Sequence, residues 1–427
     1  MQPKIFLADE HDIDSSKIDA DALQVIERLQ QAGHEAYLVG GGVRDLLAKK
    51  RPKDFDVSTS AKPEEVKAIF RRQCLLIGRR FRLAHVRFGK NVIEVSTFRA
   101  GEDGDELIVR DNEWGTAQED ALRRDFTING LFYDPSEHHI IDYVGGWEDI
   151  HRGCLHTIGQ PAVRFRQDPV RMIRLLKFRA RFGYSASEET EAAMIKCREE
   201  IVKSSPARIL EEMLRMLESG SSEPFFRLLD QYQFTEQLFP WLRHFLEGPH
   251  GESIYTLLRA ADVLNHRRSK HQPLDRSVLL TCLLFPLLDR ELHDQFLSKN
   301  RIPHLGDIAA LTSNLTRAVA STSFSQFPRR LRVESSFILS TQYRLTPLTS
   351  RKYYRTKLPR HPEFLKALEF LRLRAHEDES LAESLTEWEE VVSEQPVTHR
   401  SAEETKTRPR RRRKGRKGGA PRGRSAP

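Results

Sequence analysis

Residues 40 to 56 of this 427-residue chain, GGGVRDLLAKKRPKDFD, constrain its fold more than any other stretch. Just upstream, EAYLVG (35 to 40) reads as a short buried strand, and VRDLLAKK (43 to 50) as the start of a helix. Gly40, Gly41 and Gly42 therefore fall at a strand-to-helix turn, where bare backbone and unpaired N–H groups suit a triphosphate. Arg44 adds a fixed positive charge nearby. The chain then returns as DFDVST. A strand points residues i and i+2 to one face, so Asp54 and Asp56 share a face and Phe55 turns into the core. Carboxylates roughly 6 to 7 Å apart along a strand can grip the paired divalent ions, about 3.5 to 4 Å apart, that clamp an in-line displacement at phosphorus. Oxygen ligands of this hardness favour Mg²⁺. Seen singly, a glycine triplet is most often only a turn and an acid pair only solvated; the joint arrangement carries the functional reading. A P-loop is excluded because no Gly-Lys-Ser/Thr follows, and the glycine spacing is not that of a dinucleotide site.

The length predicts two or more domains with their own cores. No apolar run approaches the 18 residues of a membrane span, and MQPKIFLADEHDID lacks a signal-peptide core. Cys74, Cys154, Cys197 and Cys282 are far apart in sequence, which predicts reduced thiols in a cytoplasmic protein rather than disulfides or a zinc site. The net charge of +8 is concentrated at one end. Residues 406 to 427 hold eleven bases and no acid, and removing them from +8 leaves about −3 on the first 405 residues. Rich in Arg, Pro and Gly, this tail has nothing to bury and is expected to be disordered, contacting nucleic-acid phosphates without regard to sequence. The bland alternatives are a solubilising tail or one for another acidic surface.

The pattern changes near residue 160. Before it, strand-like runs (EAYLVG, DFDVST, CLLIGRRF, LAHVRFG, NVIEVSTF, HIIDYVGG) are punctuated by helical AKPEEVKAIFRR and EDALRRDFTINGLF, which predicts a mixed α/β domain. After Pro161 the chain reads as helical almost throughout, as in DPVRMIRLLKFRARFG and PARILEEMLRMLESG. The boundaries expected are 1–160 for a catalytic head, 161–245 for a helical neck, 246–395 for a helical body and tail, and 396–427 for the disordered basic end. Within the head, RRDFTINGLFYD (123 to 134) offers Asp125 as a third carboxylate, able to deprotonate a hydroxyl or complete a metal's coordination. Arg123 and Arg124 stand beside it for phosphates or as mere ion-pair partners. Glu94, mid-strand in NVIEVSTFR, is the rival third acid.

LVGGGVRD, KDFDVST, RRDFTING and DPVRMIRLLKFRARFG together resemble successive motifs of the class II nucleotidyltransferases, the bacterial poly(A) polymerases and CCA-adding tRNA nucleotidyltransferases. The resemblance covers about residues 30 to 245. It implies a head on a mixed sheet followed by helical neck, body and tail. It also implies that Asp54 and Asp56 bind Mg²⁺, that Asp125 joins them in catalysis, and that Gly41, Arg44 and Arg124 contact the nucleotide. Departures from the family pattern are Gln167 where Glu is common and Lys177 where Arg is common; Arg174 remains a nucleotide contact.

Asp168 and Arg171, three apart on a helix, are neighbours on one face. A carboxylate there accepts from the adenine N6 or cytosine N4 amino group, and a guanidinium donates to adenine N1 or cytosine N3. The pair explains choosing A and C, not A alone. The competing reading is that Asp168 before Pro169 is a helix N-cap. LLIGRRFRLAHVRF (75 to 88) resembles the signature that separates poly(A) polymerases from CCA-adding enzymes, and the basic tail points the same way. Arg208, with Glu211 or Glu212, is expected to form a structural ion-pair network. The activity expected is template-independent addition of AMP from ATP to RNA 3′ ends, promoting RNA turnover, with RNA-decay or RNA-chaperone proteins as partners. CCA addition to tRNA is the alternative, and a non-catalytic RNA-binding protein on the same fold the third reading.

Overall fold

Short strands of alternating burial build the first part of the computed structural model, which describes residues 2–78, 83–100, 113–268, 272–322, 324, 326–348 and 358–394. Eight of them form one sheet: β1 (Lys4–Phe6), β2 (Ala36–Val39), β3 (Asp56–Thr59), β4 (Cys74–Ile77), β5 (Leu83–Phe88), β6 (Asn91–Thr97), β7 (Leu131–Asp134) and β8 (His139–Asp142). Their order is β1-β8-β7-β2-β3-β6-β5-β4. All neighbours are antiparallel except β3 and β6, which run parallel with Val57 beside Val95. A parallel pair needs a crossover, supplied here by helix Pro63–Phe70 and the β4–β5 pair.

The two faces of the sheet are covered unequally, and this positions the site. Helices Ala20–Gln31 and Pro63–Phe70 bury Val25, Ile26, Leu29, Val66 and Phe70 in the main core with Leu38, Val57, Val86 and Val95. The opposite face carries a small cluster of Val39, Phe98, Ala117, Ala121 and Phe132, edged by Tyr37 and Tyr143. Beyond it, on β4 and β6, Leu75, Ile77 and Val92 stay exposed at 44, 38 and 41%.

Among the described residues from Pro161 onward the elements are helices apart from a two-residue strand, Ser185–Ala186, paired with Cys154–Leu155. Helix Val170–Phe182 stops at Gly183, whose φ of 71° is the left-handed conformation glycine reaches without strain. Helix Arg276–Gln295 crosses the middle of the helical region with Ser277 to Leu288 buried. The mixed sheet followed by helices agrees with the fold class expected from sequence. All four cysteines are free. Among the described residues no helix is long and apolar enough to cross a membrane.

Three local expectations are corrected. The helix predicted over EDALRRDFTINGLF ends at Leu122, and after a single turn at Thr127–Asn129 the chain becomes β7. Leu131, Phe132 and Tyr133 are all buried, so both faces of this strand are apolar and alternation gave no signal. Residues 4 to 6, noted in the sequence only as part of a stretch without a signal-peptide core, form an edge strand in which Phe6 stacks on Trp147 at 4.3 Å. Asp54 lies in the loop before β3, not in the strand. Residues 79–82 of the signature segment and the basic tail fall outside the described residues.

Candidate active site

Asp56 opens β3, with Asp54 exposed two residues before it. The parallel register that sets Val95 beside Val57 brings Glu94 next to Asp56. The Asp56 carboxyl is pushed up to about 6, first by burial and then by the charges of Glu94 and Asp54, against the pull of Arg124 and Arg215. Three acids thus gather with too little positive charge among them. Among the described residues no three His, Cys, Asp or Glu side chains close a metal cage by themselves. An open set of that kind fits Mg²⁺, which keeps waters and takes few carboxylates plus substrate phosphate oxygens.

The glycine turn ends β2. Gly40 has φ 63° and ψ −123°, and a Cβ there would lie 3.1 Å from Arg124 Nη1. Arg124 is fixed beside the turn: Nη2 donates to Asp120 Oδ2 at 2.8 Å and Ser58 Oγ at 3.3 Å, and Nη1 to the Asn129 carbonyl at 3.3 Å. Gly40→Ala combines a strained φ costing about 1–3 kcal/mol with displacement of Arg124. The expected result is a several-fold rise in KM for the nucleotide, read by steady-state kinetics at saturating acceptor.

Arg44 borders the turn, its Nη2 lying 3.5 Å from where a Cβ at Gly41 would stand. It is buried, donating from Nε and Nη2 to Asp45 Oδ1 at 3.0 and 2.7 Å and from Nη1 to Asn129 Oδ1 at 2.6 Å. Its guanidinium sits 4.9 Å from the Phe178 ring centre and 4.8 Å from that of Phe182. Asp45 also pairs with Arg181 at 2.6 Å. The helix that begins at the glycine turn is thereby fastened to helix Val170–Phe182.

Asp125 is likewise engaged. Its Oδ1 accepts from the Phe126 N–H and Asn129 Nδ2, each at 2.9 Å, and Oδ2 pairs with Arg174 Nη2 at 2.8 Å. Burial alone would raise its pKa, but Arg174, Asn129, the Phe126 amide and Arg171 outweigh burial and hold the carboxyl below its usual range. A carboxylate so stabilised is a weak base.

Asp168 lies between helices Pro161–Gln167 and Val170–Phe182, and its side chain does not cap the second. Instead it accepts a bidentate pair from Arg208 Nη1 and Nη2 at 2.9 and 2.8 Å. Arg171 is buried beside it and donates to the carbonyls of Arg164 and Arg123 at 3.2 and 3.3 Å. Arg208 is the residue sequence reasoning placed wrongly, because Glu212 pairs with Lys177 and Glu211 with Arg276 and Arg215. Nothing in the spacing of PARILEE could reveal a partner 40 residues upstream.

The site therefore sets an acidic cluster beside a strained glycine turn, with a polar pair on a neighbouring helix. A family model described as the poly A polymerase head domain matches residues 36–156. Others, described as a probable RNA and SrmB-binding site of polymerase A and as a polymerase A arginine-rich C-terminus, match 183–246 and 308–418. Poly(A) polymerase I of Salmonella typhimurium is 37% identical over 397 residues, 89% of this chain and 83% of that one. The chain belongs to the bacterial poly(A) polymerase family. A CCA-adding enzyme of Bacillus velezensis is 36% identical over 219 residues, 51% of this chain and 55% of its own. The crystal structure of the Bacillus stearothermophilus CCA-adding enzyme in complex with CTP shares the fold, with TM-score 0.58 and 24% identity, covering 88% of this chain and 82% of that one. Members of this family are nucleotidyltransferases, as is this poly(A) polymerase relative.

Proposed function

We propose that this protein adds adenylate to RNA 3′ ends without a template. The RNA 3′ oxygen forms a bond to the α-phosphorus of ATP, the bond to the β-phosphate oxygen breaks, and pyrophosphate leaves. The observation that carries this reading is the extent of likeness. Similarity to Poly(A) polymerase I spans 89% of the chain, and a model of its arginine-rich C-terminus matches 308–418, whereas the CCA-adding match spans 51%.

Asp54, Asp56 and Glu94 are the residues that would hold Mg²⁺, and the proton of the attacking hydroxyl passes to this carboxylate cluster. When bound, the ions supply charge stabilisation for the phosphoryl oxygens and for the departing pyrophosphate. Gly40 and Gly41 leave room for the triphosphate, and Arg124 faces it. Asp168 reads the amino group of the base and Arg171 its ring nitrogen. Arg208 does not block this role, because a carboxylate offers about four acceptor sites and the bidentate pair uses two. Asp125 holds Arg174 in place. Arg44 supports the turn from behind. The neck, body and tail, with the basic end, follow the acceptor RNA. The protein works in the cytoplasm and promotes RNA turnover, in company with RNA-decay or RNA-chaperone proteins.

CCA addition stays as the second reading, because the head and neck motifs are shared with CCA-adding enzymes. Incubation of the purified protein with single-stranded RNA or with tRNA lacking CCA, each with ATP or ATP plus CTP, separates the two. Long adenylate tails on both acceptors without CTP are expected. Extension by three nucleotides, restricted to tRNA, overturns the proposal.

A further inference from the structure

The acceptor end of the reaction has no surface assigned to it, and the exposed face of β4, β5 and β6 is the one the chemistry requires. In-line displacement places the attacking oxygen opposite the leaving group. The glycine turn and Arg124 lie on the β2 side of Asp56 and receive the triphosphate, so pyrophosphate leaves on that side. The 3′ oxygen must then arrive from the other side, over β6 and β5.

The registers define what lies there. Leu75 pairs with His85, and His85 with Glu94, which neighbours Asp56. These four side chains form one row across four strands on a single face. Arg87 and Val92 pair in the next row along β5 and β6, and Ile77 stands two residues from Leu75 on that face. Leu75, Ile77 and Val92 are 44, 38 and 41% exposed. Arg87 is exposed and, among the described residues, makes no ion pair. His85 Nε2 lies 3.4 Å from Glu94 Oε1, with the imidazole 21% exposed. Adjacent strands are about 4.8 Å apart, so Leu75 stands about 10 Å from the Glu94 strand position, close to the reach of one nucleotide.

Resting on the reading above, we propose that this strand face seats the terminal nucleotide of the acceptor RNA. His85 and Leu75 form a platform for its base, and Arg87 meets its phosphate. The platform is continuous with the carboxylates, so a nucleotide lying on it has its 3′ oxygen over Glu94 and Asp56. Stacking on a flat surface accepts any base, since every base has a π-face. That suits an enzyme whose acceptors differ in sequence. The cationic Arg87 favours a phosphate-bearing occupant over an apolar peptide.

The test uses the full chain with an RNA oligonucleotide and ATP. Base stacking is worth ~1–3 kcal/mol by alanine substitution, so His85→Ala is expected to raise KM for RNA about tenfold (1.4 kcal/mol). Arg87→Glu and Leu75→Glu, both at exposed positions, are expected to raise it further. KM for ATP stays at its wild-type value in all three, and the Mg²⁺ dependence stays unchanged for Leu75→Glu and Arg87→Glu, whose side chains do not touch the carboxylates, which also reports intact folding. With 4-thiouridine at the RNA 3′ end, irradiation is expected to crosslink peptides containing residues 75–78 or 83–92. Unchanged KM for RNA in all three variants, a matching rise in KM for ATP, or crosslinks confined to the helical region would overturn the proposal. A wild-type protein that adds only CCA to tRNA sinks the polyadenylation reading, and the strand face is then judged by the same variants with tRNA as acceptor.

Discussion

Asp56→Asn is expected to abolish nucleotide transfer and yet make the metal-free protein more stable. Loss of a metal-binding carboxylate forfeits several kcal/mol of charge stabilisation, which is on the order of a 10³-fold loss in rate. The gain in stability follows from the raised pKa of Asp56, about 6 against 3.8. A group whose folded pKa is raised contributes stability that is complete below its unfolded pKa and lost as pH rises through the folded one. Relative to acid conditions, the ionised Asp56 therefore costs on the order of 3 kcal/mol above pH 6. Asparagine removes that cost, and under the proposed reading bound Mg²⁺ would offset it in the wild type. Thermal melts at pH 3.5, pH 5 and pH 8, with and without Mg²⁺, should show the metal-free variant gaining on wild type as pH rises, with the gap about half developed at pH 5 and full at pH 8. Equal stabilisation of both proteins by Mg²⁺ would remove Asp56 from the metal site.

Asp125→Ala separates the two roles open to that residue. As the anchor of Arg174, its loss leaves a guanidinium that is 36% exposed without its partner, at a cost below the ~3–5 kcal/mol of breaking a fully buried pair. Arg174→Met, which leaves the buried Asp125 carboxylate unpaired, should be the costlier single change, and the double variant should cost less than the sum of the two. Urea unfolding of the four proteins measures this. If Asp125 instead takes the proton from the attacking hydroxyl, kcat falls by ~10²–10⁴ with stability unmoved, and the assignment to Arg174 is wrong.

The parts of the site that were legible in the sequence are those built from neighbours along the chain. The glycine turn after EAYLVG, the strand that Asp56 opens, and helix Val170–Phe182 with its glycine stop each needed only local periodicity, although Asp54 fell in the loop before that strand. The rest depended on pairings across distance. Glu94 is brought to Asp56 by a parallel register spanning 38 residues, which alternation within either strand does not encode. Asp125 and Arg44 looked alike in kind, charged residues beside turns of the chain, and only packing shows that both face partners on helix Val170–Phe182 and its surroundings. Asp168 offered two local readings, cap or base reader, and the contact it makes was a third, with Arg208. Burial on both faces hid β7 inside a pattern that passed for helix.

Helix Val170–Phe182 grips Arg44 with Phe178 and Phe182, and the same helix carries Arg171 and Arg174. The glycine turn and the polar pair therefore ride on one joint. Under the proposed repeated addition the product must shift by a nucleotide after every turnover, and a joint of this kind leaves the pocket little freedom to step forward. Translocation then falls to the RNA sliding past stationary walls. The number of residues added per encounter becomes a property of how loosely the strand is held, more than of any hinge in the protein.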